Sequence, residues 1–175
     1  MIYKIATCVL VLVLIVLAVL VPRIVKDIQK KRSFENTYAI QNVGNGLCLR
    51  PLNAGYENGV PLIQYAHHNW ECITWEIIKT DGDNILLMNL FSERSFQPEG
   101  NVEQGAVLHQ QSMDGTKGQL WQLQKQVDVT YLIKMADRDL YITSPSDEQD
   151  ARIELQPLRG DKSQKWRLVP QTPIV

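Results

Sequence analysis

The sequence predicts an all-β domain built from three copies of one unit of about 45 residues, preceded by one apolar transmembrane helix. Tryptophans recur at Trp75, Trp121 and Trp166, at spacings of 46 and 45 residues. Each is followed two positions later by an aliphatic residue, Ile77, Leu123 or Leu168. Glutamine precedes two of the three by two positions, as Gln119 and Gln164, so "KGQLWQL" and "KSQKWRL" are near copies. In the first copy Ile73 holds that place. After Arg32 no amphipathic helical window competes with short alternating segments.

The repeat extends well beyond tryptophan. Gln64, Gln110 and Gln156 recur at intervals of 46 residues. "LCLRP", "RSFQP" and "LYITS" align, which places Leu49, Phe96 and Ile142 in one column. Earlier in each unit stand Tyr38, Ile85 and Tyr131, followed by Ile40, Leu87 and Ile133. Turn sequences separate the columns: Gly44-Asn45-Gly46, Glu57-Asn58-Gly59, Asp81-Gly82-Asp83, Asp114-Gly115 and Gly160-Asp161. Each unit therefore reads as about four short strands, with apolar and polar residues alternating in "YAIQ", "LCLR", "YLIK" and "WRLV". One such unit cannot bury its own apolar face, whereas three around an axis share a core. The three tryptophans are predicted to lie in that core, each N–H needing a partner. The preceding Gln is predicted to share the strand face and bond nearby backbone. Trp70, in the "HHNWE" loop of the first copy, falls outside the pattern and is the candidate for an exposed ring.

The amino-terminal stretch from Ile5 to Val21 carries no charge and no strong polar group. It reaches the short end of the ~17–25 residues that cross a bilayer, and exceeds the ~7–15 of a signal-peptide core. No small-x-small cleavage pattern follows, so residues 1–25 are predicted to be an uncleaved anchor; a cleaved secretory signal is the alternative. Residues 26–36 form a basic juxtamembrane linker, and residues 37–171 the domain, with repeats over 37–80, 81–128 and 129–171. Lys4 precedes the anchor; Arg23, Lys26, Lys30, Lys31 and Arg32 follow it, against Asp27. That bias favours a cytoplasmic domain, and the same residues suit anionic headgroups. Residues 1–33 hold six of the 18 Lys/Arg and one of the 19 acids, which leaves 12 basic against 18 acidic residues, a net −6. An acidic domain without a basic stripe is a poor ligand for phosphate backbones, so nucleic acid is excluded as a partner.

Three units closing on "ECITW", "KGQLW" and "KSQKW" resemble the ricin B-type lectins, the QxW-repeat or family-13 carbohydrate-binding modules. The segment "NGVPLIQYA" resembles the family's Asn-Gly-x-Pro-aliphatic-x-x-aromatic run. The resemblance covers residues 37 to about 170. It implies a β-trefoil, twelve strands in a six-stranded barrel closed by three hairpins, and non-catalytic binding of a glycan or glycoconjugate. It also favours an extracytoplasmic domain, against the charge bias, and the side of the membrane stays open.

The resemblance further implies a sugar site per repeat: an acid after the second strand, an aromatic platform after the third, and a polar group before QxW. The first slot holds Arg50, Gln97 and Thr143; the second Tyr65, Gln111 and Pro157; the third His68, Asp114 and Gly160. Only the first repeat keeps a ring. The carbohydrate-binding residues are therefore expected to be Tyr65 as platform, Arg50 and His68 as hydrogen-bonding groups, and Trp70 as a wall. Arginine in place of the acid suits an acidic sugar or a carboxylate. The alternative is that all three sites are vestigial and the scaffold binds a protein partner.

No cofactor, metal or catalytic residue is implied. Adjacent His67 and His68 point to opposite faces of an extended chain, and no HExxH, GxSxG or phosphate-binding loop is present. "SDEQD" at Ser146–Asp150 reads as a solvated turn. Cys8 lies in the anchor; Cys48 and Cys72 are either one disulfide or two buried thiols.

Overall fold

The structure is a computed structural model that describes residues 18, 20, 21 and 34–173. It divides into two units, residues 1–35 and 36–175. Of the predicted anchor only Ala18, Leu20 and Val21 fall within the described residues, where they are helical. The remainder of the anchor and most of the basic linker lie outside them.

Twelve strands succeed one another in the second unit: β1 (Thr37–Asn42), β2 (Cys48–Pro51), β3 (Leu62–Tyr65), β4 (Thr74–Lys79), β5 (Ile85–Asn89), β6 (Arg94–Pro98), β7 (Leu108–Ser112), β8 (Trp121–Lys125), β9 (Tyr131–Met135), β10 (Tyr141–Thr143), β11 (Glu154–Gln156) and β12 (Trp166–Pro170). That is four per repeat, as the columns predict. Antiparallel pairing runs β1–β4, β4–β5, β5–β8, β8–β9, β9–β12 and back from β12 to β1. Six strands thus close on themselves and leave no free edge. The contacts repeat threefold: Trp75 stands opposite Tyr38, Trp121 opposite Ile85, and Trp166 opposite Tyr131. The hairpins β2–β3, β6–β7 and β10–β11 cap the barrel. They meet one another through bridges at Pro61–His109, Ile63–Arg152 and Val107–Glu154. This is the β-trefoil.

Its core contains the predicted columns. Ile40, Leu87 and Ile133, then Leu49, Phe96 and Ile142, pack with the three tryptophans, all fully buried. Trp75 and Trp166 donate their Nε1–H groups to the carbonyls of Leu49 and Ile142, both at 3.0 Å. The column residue whose carbonyl accepts is thus the one that packs beside the ring. In the second repeat that column holds Phe96, whose ring centroid lies 5.0 Å from that of Trp121. There the Trp121 Nε1–H has no hydrogen-bond partner.

The glutamine of QxW differs from expectation. Gln119 and Gln164 end one-turn 3₁₀ helices, Lys117–Gln119 and Lys162–Gln164, immediately before the tryptophan strands. From that position each turns back on the preceding loop instead of lying along a strand. Gln119 donates to the Ser112 carbonyl at 2.9 Å and accepts from the N–H groups of Asp114 and Gly115. Gln164 donates to the Pro157 carbonyl at 2.9 Å and accepts from Arg159 N–H at 2.6 Å. Gly115 and Gly160 take φ of +70° and +73° in these loops, a conformation glycine adopts without strain.

The other glutamine column joins repeats. Gln64 donates to the carbonyls of Ser146 and Glu148 in the third repeat. Gln110 donates to those of Gly55 and Glu57 in the first, both at 2.8 Å. Gln156 breaks the series: it donates to Glu154 on its own strand, and its Oε1 is buried without a partner.

Removing a donor that already lacks an acceptor costs less than orphaning a buried carbonyl. Trp121→Phe should therefore destabilise the domain by about 1–2 kcal/mol less than Trp75→Phe or Trp166→Phe. Urea denaturation of the three variants measures the difference, and equal losses would contradict it.

Candidate functional site

The four predicted residues of the first repeat come together. In the β2–β3 hairpin, Cys48 stands opposite Tyr65 and Arg50 opposite Ile63. Arg50 and Tyr65 are therefore diagonal neighbours on one face, within reach of long side chains. The Arg50 guanidinium carbon lies 4.1 Å from the Tyr65 ring centroid. Beyond Tyr65 the chain leaves the strand and brings His68 to 6.2 Å from its ring, tilted by 42°. His68 in turn stacks on Trp70 at 4.0 Å with planes 12° apart. The result is a ladder, Arg50–Tyr65–His68–Trp70, that runs from interior to solvent. Arg50 is 9% exposed and Trp70 44%.

The guanidinium covers one face of the Tyr65 ring, and Tyr65 packs against the small cluster of Ala39, Cys48, Cys72 and Ile73. The open aromatic surface of the site is that of Trp70.

The loop that carries His68 and Trp70 is held from an unexpected quarter. Ile73 occupies the position of the QxW glutamine and cannot clamp it. Gln171, in the tail after β12, does so instead. Its amide donates to the His68 carbonyl at 3.1 Å and to His67 Nε2 at 2.8 Å, and its Oε1 accepts from Thr74 Oγ1. The tail is itself fixed: Gln171 N–H donates to the Thr37 carbonyl at 3.0 Å, and Thr37 Oγ1 to the Gln171 carbonyl at 2.8 Å. Asn69 adds a bond to the Thr172 carbonyl at 2.8 Å. Sequence reasoning missed Gln171, because a lone glutamine at the very end of the last repeat matches no column; the vacant slot at Ile73 was the available signal.

The second and third repeats use the corresponding groups internally. Gln97 Oε1 accepts from Gln119 at 3.3 Å, and buried Thr143 Oγ1 accepts from Gln164 at 3.0 Å. Asp114 accepts from Thr116 N–H at 3.0 Å, which stabilises its own turn. An open cleft of about 490 Å³ lies where the third repeat meets the first, among Asn42, Ser144, Asp147, Asp161 and Lys162. None of Thr143, Pro157 and Gly160 lines it, so it does not restore the third site.

Cys48 and Cys72, beside the ladder, are buried free thiols. Burial pushes Cys48 up to about 12. Burial also raises Cys72, where the positive charge of Arg50 acts in the opposite direction.

Known proteins of this shape are specific about fold. The chain superposes on the designed threefold-symmetric protein ThreeFoil with a TM-score of 0.74 and 23% identity, over 77% of this chain and 98% of that one. The Rhizoctonia solani agglutinin gives a TM-score of 0.71 and 16% identity, over 78% and 95%. The Macrolepiota procera ricin B-like lectin, in complex with lactose, gives 0.64 and 16%, over 76% and 94%. These likenesses define the class, an all-β trefoil. Residues 27–111 also match the model of the family described as ricin-type beta-trefoil lectin domain-like, a stretch that contains all four ladder residues. No curated protein matches the chain.

Two measurements check the site's construction. Gln171→Ala should speed amide hydrogen exchange across residues 67–72 while β8 and β9 keep wild-type protection; unchanged exchange in the loop would mean that Gln171 does not hold it. Because the thiolate is the reactive form, Cys48 and Cys72 should stay unmodified by a thiol reagent at pH 8 in the folded protein and react on unfolding in urea. Peptide mapping distinguishes them from Cys8.

Proposed function

We propose that the trefoil is a non-catalytic carbohydrate-binding module, tethered to a membrane by residues 1–25, with the exposed face of the first repeat as its sugar site. The observation that carries this reading is the stacked His68–Trp70 pair, whose outer ring is 44% exposed in a loop pinned by Gln171 and Asn69. A rigid aromatic surface stacks on the C–H face of a sugar, and nearby donors and acceptors order its hydroxyls. Trp70 takes the platform role, His68 supplies an imidazole, and Arg50 supplies N–H donors. Tyr65 holds Arg50 in place. The lactose complex of the Macrolepiota procera lectin, a trefoil of the same kind, supports a glycan as ligand.

A glycan array probed with the full chain tests this. Wild type should bind at least one glycan, and Trp70→Ala should weaken it about tenfold or more, the scale set by one to two kcal/mol of lost stacking and burial. Val127→Ser, a fully exposed position in the β8–β9 turn, should leave binding unchanged. Identical array profiles for wild type and Trp70→Ala would sink the site.

A second reading, a protein-interaction module on the same scaffold, is favoured by two observations: Arg50 occupies a face of Tyr65, and the second and third repeats tie up their own slot residues. Array silence together with a saturable membrane-protein partner whose binding survives Trp70→Ala would select it. The anchor is tested separately: the full chain should stay with membranes after alkaline carbonate extraction, and a chain lacking residues 1–25 should be released.

A further inference from the structure

Arg50 is nine-tenths buried and has no carboxylate partner among the described residues. The described ion pairs are Lys117–Asp137, Lys134–Asp139 and Lys165–Asp128, and none includes it. Glu71 influences the same thiol, Cys72, as Arg50 does, yet is not within ion-pair distance of the guanidinium. A buried charge without a partner is costly, and structures rarely keep one idle. Of the five N–H donors of a guanidinium, Arg50 commits one, from Nε to the Pro51 carbonyl at 3.3 Å. The Nη groups have no protein acceptor among the described residues. They are not sealed either: the buried atoms without a partner are Thr80 Oγ1, Ser95 Oγ, His109 Nε2, Trp121 Nε1 and Gln156 Oε1, and no Arg50 nitrogen is among them. The Nη groups are therefore not fully sealed from solvent, although the residue as a whole is only 9% exposed.

Its setting is rigid. The Tyr65 ring centroid lies 4.1 Å from the guanidinium carbon, and cation–π attraction at that distance orients the fork before any ligand arrives. The next ring outward is His68, on the loop that Gln171 pins. This differs from a basic patch. The domain around Arg50 is net acidic, so long-range attraction of anions is absent and recognition depends on this one fork.

We propose that the first-repeat site selects glycans that carry a carboxylate, with the carboxylate accepting paired N–H bonds from the Nη edge of Arg50 while the sugar ring lies toward His68 and Trp70. This deepens the carbohydrate reading above and rests on it. A carboxylate matches the guanidinium fork with two parallel bonds, whereas a neutral hydroxyl takes one and leaves the charge unpaired. Sulfate esters share the charge and have a different, tetrahedral shape.

The test titrates the full chain with matched ligands by isothermal calorimetry: glucuronic acid and N-acetylneuraminic acid glycosides, their methyl esters, and a sulfated sugar. Wild type should bind the carboxylates at least about tenfold more tightly than the esters, as one charge-assisted pair implies. The preference should shrink as salt rises, and the sulfated sugar should fall between acid and ester. Arg50→Gln should abolish the preference and Arg50→Lys keep part of it. The acid–ester comparison needs no variant, so it stays decisive even where a substitution at this buried position impairs folding. Equal affinity for acids and esters, with loss of both in Trp70→Ala, overturns the inference and leaves the carbohydrate reading intact. An Arg50-dependent response to acetate that is indifferent to any sugar ring supports the anion site and overturns the carbohydrate reading. Absence of binding to every ligand overturns both.

Discussion

Each repeat presents one large ring, Trp75, Trp121 or Trp166, to a space that its own four strands cannot enclose. That geometric shortfall governs the rest of the domain. Within each repeat the first and fourth strands pair so that the tryptophan stands opposite the first-column residue, Tyr38, Ile85 or Tyr131, and the barrel closes where β12 returns to β1. Burying an indole also buries its N–H, so in two repeats the strand that flanks the ring turns a carbonyl toward it. The second repeat shows the limits of that solution. Phe96 brings aromatic packing against both Trp75 and Trp121, and the Trp121 N–H goes unpaired.

Symmetry of this sort sets an energetic norm from which each repeat departs in its own way. The QxW glutamine satisfies a loop whose backbone would otherwise lack partners, and loss of such a clamp at a buried site is expensive. Ile73 removes it from the first repeat. The repair comes from Gln171, which reaches the same loop from the opposite end of the domain's sequence and, through Thr37, ties the tail to the first strand. A glutamine supplied from outside also moves the bonding point, from the start of the loop to His68 and His67. The loop so held presents a histidine and a tryptophan stacked together, which is the exposed feature that distinguishes the first repeat.

Electrostatics in the same place follow from one substitution. Where the resemblance implies an acid after the second strand, this chain has Arg50, which reverses the charge at that position. Its burial raises the value of any anion it meets, because few water molecules compete. Tyr65 lies against this guanidinium, 4.1 Å from ring centroid to carbon. The neighbouring thiols record the same environment: burial keeps both protonated, while the guanidinium draws Cys72 the other way.

Much of the fold was legible in the chain because the threefold repeat forces identical problems on three segments, and identical problems select identical residues. The columns at Leu49, Phe96 and Ile142, or at the tryptophans, are visible without coordinates since each samples the same buried environment. The convergence of Arg50, Tyr65, His68 and Trp70 was also readable from their proximity to one hairpin and its adjoining loop. Three things were decided only by tertiary structure. The glutamine of QxW turns back on its loop because a 3₁₀ turn, not a strand, precedes the tryptophan. Gln171 acts at a site about a hundred residues away in sequence, a contact that exists only when the barrel closes. And Arg50 lies over Tyr65, because diagonal neighbours on a hairpin face meet by side-chain direction, which no one-dimensional spacing encodes. Sequence alone determined what each repeat must bury; closure of the barrel determined which polar groups were left to face the solvent, since only the assembled neighbours decide whose hydrogen bonds are already made.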